Sequence, residues 1–355
     1  MALISLENVT KTYSGQEEPA VADFNLDLKE GEIITFLGPS GCGKTTTLRI
    51  IAGFIKPDNG KVYFGDELMA GNGVNVKPEK RNIGMVFQDY ALFPHLNVAE
   101  NIIFGLEKKL SKSEQKEKVN NLLDLVGLQG YQDKYPNQLS GGQQQRVALS
   151  RALSRDPIAV LLDEPFSNLD EKLRDRMRKE VKDILRESNT AAIIVSHARE
   201  DGFSLSDRMV VMNQGRIEQI GSPEDIFKYP NSKFVAEFAS NSNLIEVERI
   251  NGESVDTSLG NISCYNLKQS APDENCNCTM AVRPDAFKPD SEGEIKGKVE
   301  DYIYYGNYIE ADIIVPAKCG NLKLTARFND ISVERGQEIN MKCDGNKCWL
   351  INKSS

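Results

Sequence analysis

The run "GPSGCGKT" (38–45) places Gly38, Pro39, Ser40, Gly41, Cys42, Gly43, Lys44 and Thr45 in the pattern G-x-x-x-x-G-K-[ST]. Glycines at this spacing let backbone N–H groups turn toward phosphate oxygens, and a helix starting directly afterwards adds a favourable dipole. The Lys44 ammonium would neutralise the β- and γ-phosphates of a nucleotide, and the Thr45 hydroxyl would ligate Mg²⁺. Thr46 can add one more phosphate contact. A tight turn with a stray lysine is the alternative reading, and the strand before and helix after the loop argue against it.

Two other stretches carry compatible chemistry. "VLLDEP" (160–165) ends an apolar run on two carboxylates. Asp163 would hold Mg²⁺, directly or through water, and Glu164 would lie near the attacking water as its base or orienter. Taken alone, the pair could be surface acids at a strand end. "LSGGQQQR" (139–146) puts Ser140, Gly141, Gly142 and Gln143 at the start of the helical "QQQRVALSRAL". Serine and glycine amides at a helix start can bind an anion. With no lysine nearby, this element completes a site and does not form one.

The elements that must position these groups alternate. "GEIITFLG" (31–38), "AVLLDEP" (159–165) and "AAIIVSH" (191–197) read as buried strands, with helices over "TTTLRIIAGF" (45–54) and "KLRDRMRKEVKDILRE" (172–187). That rhythm predicts a parallel sheet. Residues 89–155 interrupt it with a helical subdomain. There, Ser111 and Glu114 fit a capping box, and Val119, Leu122, Leu123 and Val126 line one helical face. "GSPEDIF" (221–227) starts another helix, with Pro223 in its first turn. After about residue 240 the texture turns to short β-rich pieces split by Gly, Asn and Asp, which predicts a small barrel or sandwich. The expected domains are 1–238 and 239–355.

Composition narrows the classes. The chain has 355 residues, 40% hydrophobic and 27% charged, with a net charge of −9. That acidity argues against nucleic acid as the main partner. It also weakens an oligonucleotide role for the β-rich tail, where "YIYYGNY" (302–308) is expected to supply core and dimer contacts. No apolar run approaches a membrane span, and "MALISLENVT" does not read as a signal peptide, so a cytosolic protein is expected. Six of the seven cysteines follow residue 260. Reduced free thiols are expected of Cys276, Cys278, Cys343 and Cys348, with a metal or redox site as the alternative.

With a phosphate loop upstream and "LLDEP" just downstream, "LSGGQ" (139–143) resembles the ATP-binding cassette (ABC) transporter ATPases. The resemblance covers nearly the whole chain. It implies an α/β P-loop NTPase domain with an inserted helical subdomain, followed by a small all-β OB-like regulatory domain. "AVRPDAF" (281–287) matches a recurrent element of such tails, which point to bacterial importers. The implied cofactors are ATP and Mg²⁺. In this family two copies face each other head to tail, so that each signature loop closes on the nucleotide of the other. An isologous dimer satisfies both sites at once. By the same resemblance Tyr13 stacks on adenine, although it could be an edge-strand tyrosine. Gln88 contacts Mg²⁺ and water, and His197 grips the γ-phosphate and the attacking water. Lys44, Gln88, Glu164 and His197 form the implied catalytic set, and Thr45, Gln88 and Asp163 the implied Mg²⁺ ligands. "SNLD" (167–170) communicates across the dimer, with Asp170 its acidic member. His95 is expected to be structural or near the subunit interface. One departure stands out: the residue after the switch histidine is usually aspartate, and here it is Ala198.

The resemblance further implies two membrane-spanning permease subunits, an extracytoplasmic solute-binding protein acting indirectly, and a peripheral position on the cytoplasmic face of the membrane. "RNIGMVFQDYALFPHLNVAENI" (81–102) and "EPFSNLD" (164–170) look most like ferric-iron importer ATPases. Polyamine, phosphonate, sulfate and sugar importers, or a soluble ABC ATPase, are the alternatives.

Overall fold

The computed structural model describes residues 2–106, 110–252, 254–265, 278–318, 320–329 and 332–352. The chain divides into two compact units, Met1–Pro223 and Glu224–Ser355. In chain order the first unit contains β1 (Ile4–Lys11), β2 (Val21–Leu28), β3 (Ile33–Leu37), α1 (Lys44–Ala52), β4 (Asn59–Phe64), β5 (Glu67–Gly71), β6 (Val74–Asn75) and β7 (Ile83–Val86). It continues with α2 (Val98–Gly105), α3 (Lys112–Leu125), α4 (Gly141–Leu153), β8 (Ala159–Asp163), α5 (Glu171–Glu187), β9 (Ala191–Ser196), α6 (Arg199–Leu205), β10 (Arg208–Asn213) and β11 (Arg216–Gly221).

One sheet has the order β11-β10-β3-β9-β8-β7, parallel from β10 to β7 and antiparallel at its β11 edge. Every residue of β3, β8 and β9 is buried. Strands covered on both faces must read as continuous apolar runs, which is why these were legible. Side chains alternate between two cores. Val160, Leu162, Ala192 and Ile194 face α2, α3, α4 and α5. Ala159, Leu161, Ile193 and Val195 face α1 and an antiparallel sheet of order β2-β1-β4-β5-β6. The register pairs Leu37 with Ser196 and Asp163 with Val195, so β3, β8 and β9 end level. Gly38, Glu164 and His197 therefore leave the sheet together at the carboxyl-terminal ends of its strands, where ligands of parallel α/β sheets bind.

The inserted helices form as their termini specify. Ser111 and Glu114 make the capping box of α3, whose Val119, Leu122 and Leu123 are buried. α2 starts on a second box, Asn97 with Glu100. Buried Asn101 then holds the preceding loop, bonding Phe93 through both backbone groups and the carbonyls of Leu96 and Asn97.

The second unit opens with α7 (Pro223–Lys228) and α8 (Lys233–Ser240). These side with the tail because Ala236 packs on Ala281 and Ile351, and the Tyr229 ring lies 4.7 Å from Trp349. The observed division thus falls ahead of the 238/239 boundary read from the sequence. Next come β12 (Asn243–Asn251), β13 (Ser254–Thr257), β14 (Gly260–Ser263), β15 (Cys278–Val282), β16 (Phe287–Pro289), β17 (Ile295–Tyr304), β18 (Ile309–Ala317), β19 (Gly320–Phe328), β20 (Glu338–Cys343) and β21 (Cys348–Asn352). They form two antiparallel five-stranded sheets, β14-β13-β12-β15-β21 and β16-β20-β17-β18-β19. Ile309, Ala311, Ile313 and Val315 alternate into their shared core. This is the all-β, OB-like tail that was expected.

Two expectations for the tail fail. "YIYYGNY" does not supply core: Tyr302, Ile303, Tyr304 and Tyr305 are exposed, Tyr304 by 69%. The strand runs past the core at this end, so both of its faces meet water. Cys343 and Cys348 are free thiols, as expected, but Cys278 is disulfide-bonded. Cys276 lies outside the described residues. The thiols of Cys343 and Cys348 are 3.6 Å apart, and that contact together with burial pushes Cys348 up.

Candidate nucleotide site

The loop between β3 and α1 is packed too tightly for side chains at two of its glycines. A Cβ on Gly38 (φ +153°) would fall 2.2 Å from the Met212 carbonyl oxygen, and one on Gly43 (φ +99°) 2.2 Å from that of Ala20. Gly43 precedes α1 without capping it through a side chain, so the first-turn N–H groups face the loop. Lys44 is 3% exposed and folds back, donating from Nζ to the carbonyls of Gly38 (2.7 Å) and Pro39 (2.8 Å). Cys42 Sγ lies 3.6 Å from the same ammonium.

The acid pair meets this loop. Thr45 donates from Oγ1 to Asp163 Oδ1 at 3.0 Å. Burial pushes the Asp163 carboxyl above the usual aspartate range, while the Thr45 bond and the Arg49 charge pull it down. Glu164 turns out of β8 in the left-handed region, φ +47°, and its N–H donates to Val195 O at 3.0 Å. That turn aims its carboxylate at His197, whose Nε2 is in direct contact with Glu164 Oε1. His197 is itself 43% exposed. Such strain in a non-glycine residue persists only where the surroundings over-determine it.

Tyr13 follows the end of β1, so it is not an edge-strand residue, and its hydroxyl lies 3.3 Å from Thr46 Oγ1. The ring of Tyr13 and the two threonines of the α1 start, the Lys44 ammonium, the two carboxylates and the imidazole are thus linked by contacts around the loop between β3 and α1 and the ends of β8 and β9. Gln88 is exposed in the turn after β7. Its carbonyl accepts from Asn168 Nδ2 at 2.9 Å, which ties it to the "SNLD" loop. Asp170 of that loop caps α5 by accepting from Leu173 N–H at 3.0 Å. His95 is exposed beside Phe93, with ring centroids 6.1 Å apart.

The second half-site is elsewhere. Ser140 caps α4, accepting from Gln143 N–H (3.4 Å), while Gln143 Oε1 accepts from Ser140 N–H (2.9 Å). A Cβ on Gly142 would sit 2.9 Å from Met177 Sδ, so this glycine also serves the packing of α4 on α5. Among the described residues the Ser140 side chain bonds only Gln143, and no hydrogen bond joins residues 140–143 to Lys44, whose partners are the Gly38 and Pro39 carbonyls and Cys42.

Sequence reasoning missed Asn168 and Arg81. Arg81 is fully buried and donates to the carbonyls of Ile50, Ile51 and Val76 (2.8 Å each) and of Met69 (3.1 Å). It thereby holds the far end of α1, the helix that carries Lys44. Burial pushes its guanidinium down to about 10, still charged at neutral pH. An arginine in the turn ahead of β7 carries no signal of such a role in a single sequence.

A phosphate loop leading from β3 into α1, with an acid pair at the end of β8, one strand removed in the same sheet, defines a P-loop nucleoside triphosphatase. Comparison with known proteins narrows that class. A family profile described as ABC transporter matches residues 21–167. The spermidine/putrescine import ATP-binding protein PotA of Acetivibrio thermocellus is 44% identical over 317 residues, which cover 88% of this chain and 87% of that protein. The Fe(3+) ions import ATP-binding protein FbpC of Fusobacterium nucleatum is 41% identical over 307 residues, covering 84% and 79%. Among solved structures, the dimeric ATP-binding cassette MJ0796 bound to ADP and Pi matches with a TM-score of 0.53 at 33% identity, covering 62% of this chain and 98% of that one. The chain belongs to the ABC transporter family as an ATP-hydrolysing, importer-type ATP-binding subunit.

Proposed function

We propose that two copies of this chain hydrolyse ATP at sites shared between them and so drive solute uptake through two membrane-spanning permease subunits. The observation that carries this reading is the separation of the half-sites. Lys44, Thr45, Asp163, Glu164 and His197 converge, while Ser140 and its glycines present a helix start elsewhere on the same chain. A second copy, head to tail, would supply the missing half.

Within one site the residues divide the work. Lys44 would exchange the Gly38 and Pro39 carbonyls for phosphate oxygens, assisted by the α1 amides. Tyr13 would stack on the adenine. Glu164 would leave His197 to accept a proton from, or orient, the attacking water, and the imidazole would turn to the terminal phosphate. Thr45 Oγ1 and Asp163 Oδ1, 3.0 Å apart, are hard oxygen donors of the kind Mg²⁺ selects, and the exposed Gln88 amide can add a third. Mg²⁺, when bound there, supplies charge neutralisation to the phosphates.

For the permease, a coupling helix would settle near Gln88 and the helical subdomain. Apolar surface in that region supports this: Phe54 and Phe104 are exposed, and Phe93 lies 4.4 Å from Phe104. Among the described residues no helix is long and apolar enough to cross a membrane, in keeping with a peripheral position on the cytoplasmic face. A solute-binding protein would act only through the permease. For the solute we favour a polyamine, on the strength of the PotA relative. Ferric iron, expected from the sequence, is the second reading; its FbpC relative gives it support but no advantage.

The test is Glu164→Gln. Turnover should fall by about 10²–10⁴-fold, the range for losing a general base, and ATP should convert the variant to a stable dimer in size-exclusion chromatography. Near-normal turnover would overturn the assignment of Glu164. A monomer at every nucleotide concentration would overturn the shared site. In the reconstituted transporter, ATPase stimulation by spermidine or putrescine and not by Fe³⁺ decides between the solutes.

A further inference from the structure

Ala198 leaves α6 without a side-chain N-cap, directly beside the switch histidine. The local geometry supplies a replacement. Ser196, the last residue of β9, accepts the Ala198 N–H on Oγ at 3.0 Å and donates the same hydroxyl to Asp201 Oδ2. One hydroxyl therefore spans His197, holding the residue after it to the residue before it. Asp201, in the first turn of α6, is 3% exposed, and its other oxygen accepts from Arg178 Nε at 2.6 Å. Arg178 comes from α5 and donates a second bond to Asp175 Oδ1 at 2.6 Å. Ser196 is also buried, and it pairs in the sheet with Leu37, the residue before Gly38.

We propose that Ser196 is a positioning residue for His197, with Asp201 and Arg178 as its buried support, and that this relay takes the place of the capping carboxylate that Ala198 cannot supply. The inference rests on the reading that His197 acts on the terminal phosphate. The imidazole is part-exposed, and the side chain it contacts is that of Glu164, the group that must leave it for the attacking water. Its direction is set by the backbone at 196–198, which the relay holds on both sides. The relay touches neither the phosphate loop nor Tyr13, so its loss should misdirect His197 without weakening nucleotide binding. Misplacement of a reacting group by about 1 Å costs up to about 10²-fold in rate.

The test uses the full chain with steady-state ATP hydrolysis, nucleotide binding and thermal melting. Ser196→Ala should lower kcat by about 10-fold or more, with KM for ATP and the Kd for ADP unchanged within experimental error. Ser196→Thr keeps the hydroxyl and should stay close to the parent. Adding Ala198→Asp to Ser196→Ala restores a cap and should recover most of the lost rate. The inference is overturned if Ser196→Ala turns over normally, if Thr is as damaging as Ala, or if the rate falls only alongside equal losses of nucleotide affinity and melting temperature. His197→Ala, measured in parallel, separates the two levels. If it retains full turnover, the underlying reading fails. If it is inactive while Ser196→Ala is normal, the positioning role alone fails.

Discussion

The two units bury different kinds of polar group. Among the described residues of Met1–Pro223, ionisable side chains lie inside: Glu32, Lys44, Arg81, Asp163, Arg178 and Asp201. In Glu224–Ser355 the buried polar side chains are hydroxyls, those of Ser232, Ser240, Ser242, Thr257 and Thr279. The charges of that unit pair at its surface, as Lys323 does with Glu300 and Asp312. Burying a charge costs far more than burying a hydroxyl unless it is fully bonded. The first unit offsets that cost with bonds to each charge, as Arg81 makes to four backbone carbonyls and Glu32 to Arg208 and the Lys29 N–H. Lys44 donates to the Gly38 and Pro39 carbonyls, Asp163 accepts from Thr45, and Asp201 accepts from both Arg178 and Ser196. The second unit has packed its interior for stability and kept its charged chemistry outside.

If that contrast is real, removing a buried charge from the first unit is the heaviest blow. Arg81→Ala strands the four buried carbonyls of Ile50, Ile51, Met69 and Val76. At about 1–3 kcal/mol for each unmet acceptor, partly relieved by water, the loss should be about 4–6 kcal/mol in urea unfolding. A loss below about 1 kcal/mol would break the contrast. Next is the apolar interior of the second unit. Phe328, fully buried, should cost about 3–5 kcal/mol as Phe328→Ala. Turnover per folded molecule should survive that change if the tail's interior serves packing alone.

How much of this could be read from the sequence depended on whether the signal was local. β3, β8 and β9 were legible because a doubly covered strand has to be apolar throughout. The phosphate loop was legible because its chemistry sits in eight consecutive residues. The capping boxes at Ser111 and Ser140 follow from three-residue spacing, yet only the first was read as a cap. The glycines beside Ser140 point to an anion site, and the structure adds that the serine hydroxyl caps α4. What stayed hidden is non-local. Arg178 and Asp201 are 23 residues apart, and nothing in either's neighbours marks them as partners. Arg81 reaches carbonyls 30 and 31 residues upstream. The tyrosines at 302–305 were misjudged because alternation cannot say where a strand outruns its core.

A smaller effect sharpens the contrast at one residue. Burial holds the Asp163 carboxyl above its ordinary value in the folded chain. A carboxyl raised in this way binds its proton more tightly folded than unfolded, so at neutral pH its ionisation works against stability. That penalty fades as the pH falls through the folded value and is gone below the ordinary aspartate range. Asp163→Asn, which can still accept from Thr45, should therefore melt slightly above the parent at pH 7.5 in EDTA. The difference should vanish near pH 3.5. A variant that melts lower at pH 7.5 would place the Asp163 charge among the stabilising ones.

The smallest expected effect is at Lys323. Its ammonium donates to Glu300 at 2.8 Å and Asp312 at 2.9 Å, and these two bonds push it above the ordinary lysine value. Geometry this good looks stabilising, but the group stands in water, where solvent and salt screen the attraction and fixing a long side chain costs entropy. Its removal also leaves Asp312 with the Thr325 hydroxyl at 3.2 Å, so no buried acceptor is stranded. Lys323→Ala should melt with the parent within error, at low and at high salt. A loss approaching that of Phe328→Ala would mean that the second unit is held by its surface charges as much as by its core. The two units would then differ in where they keep their charges and not in what those charges do.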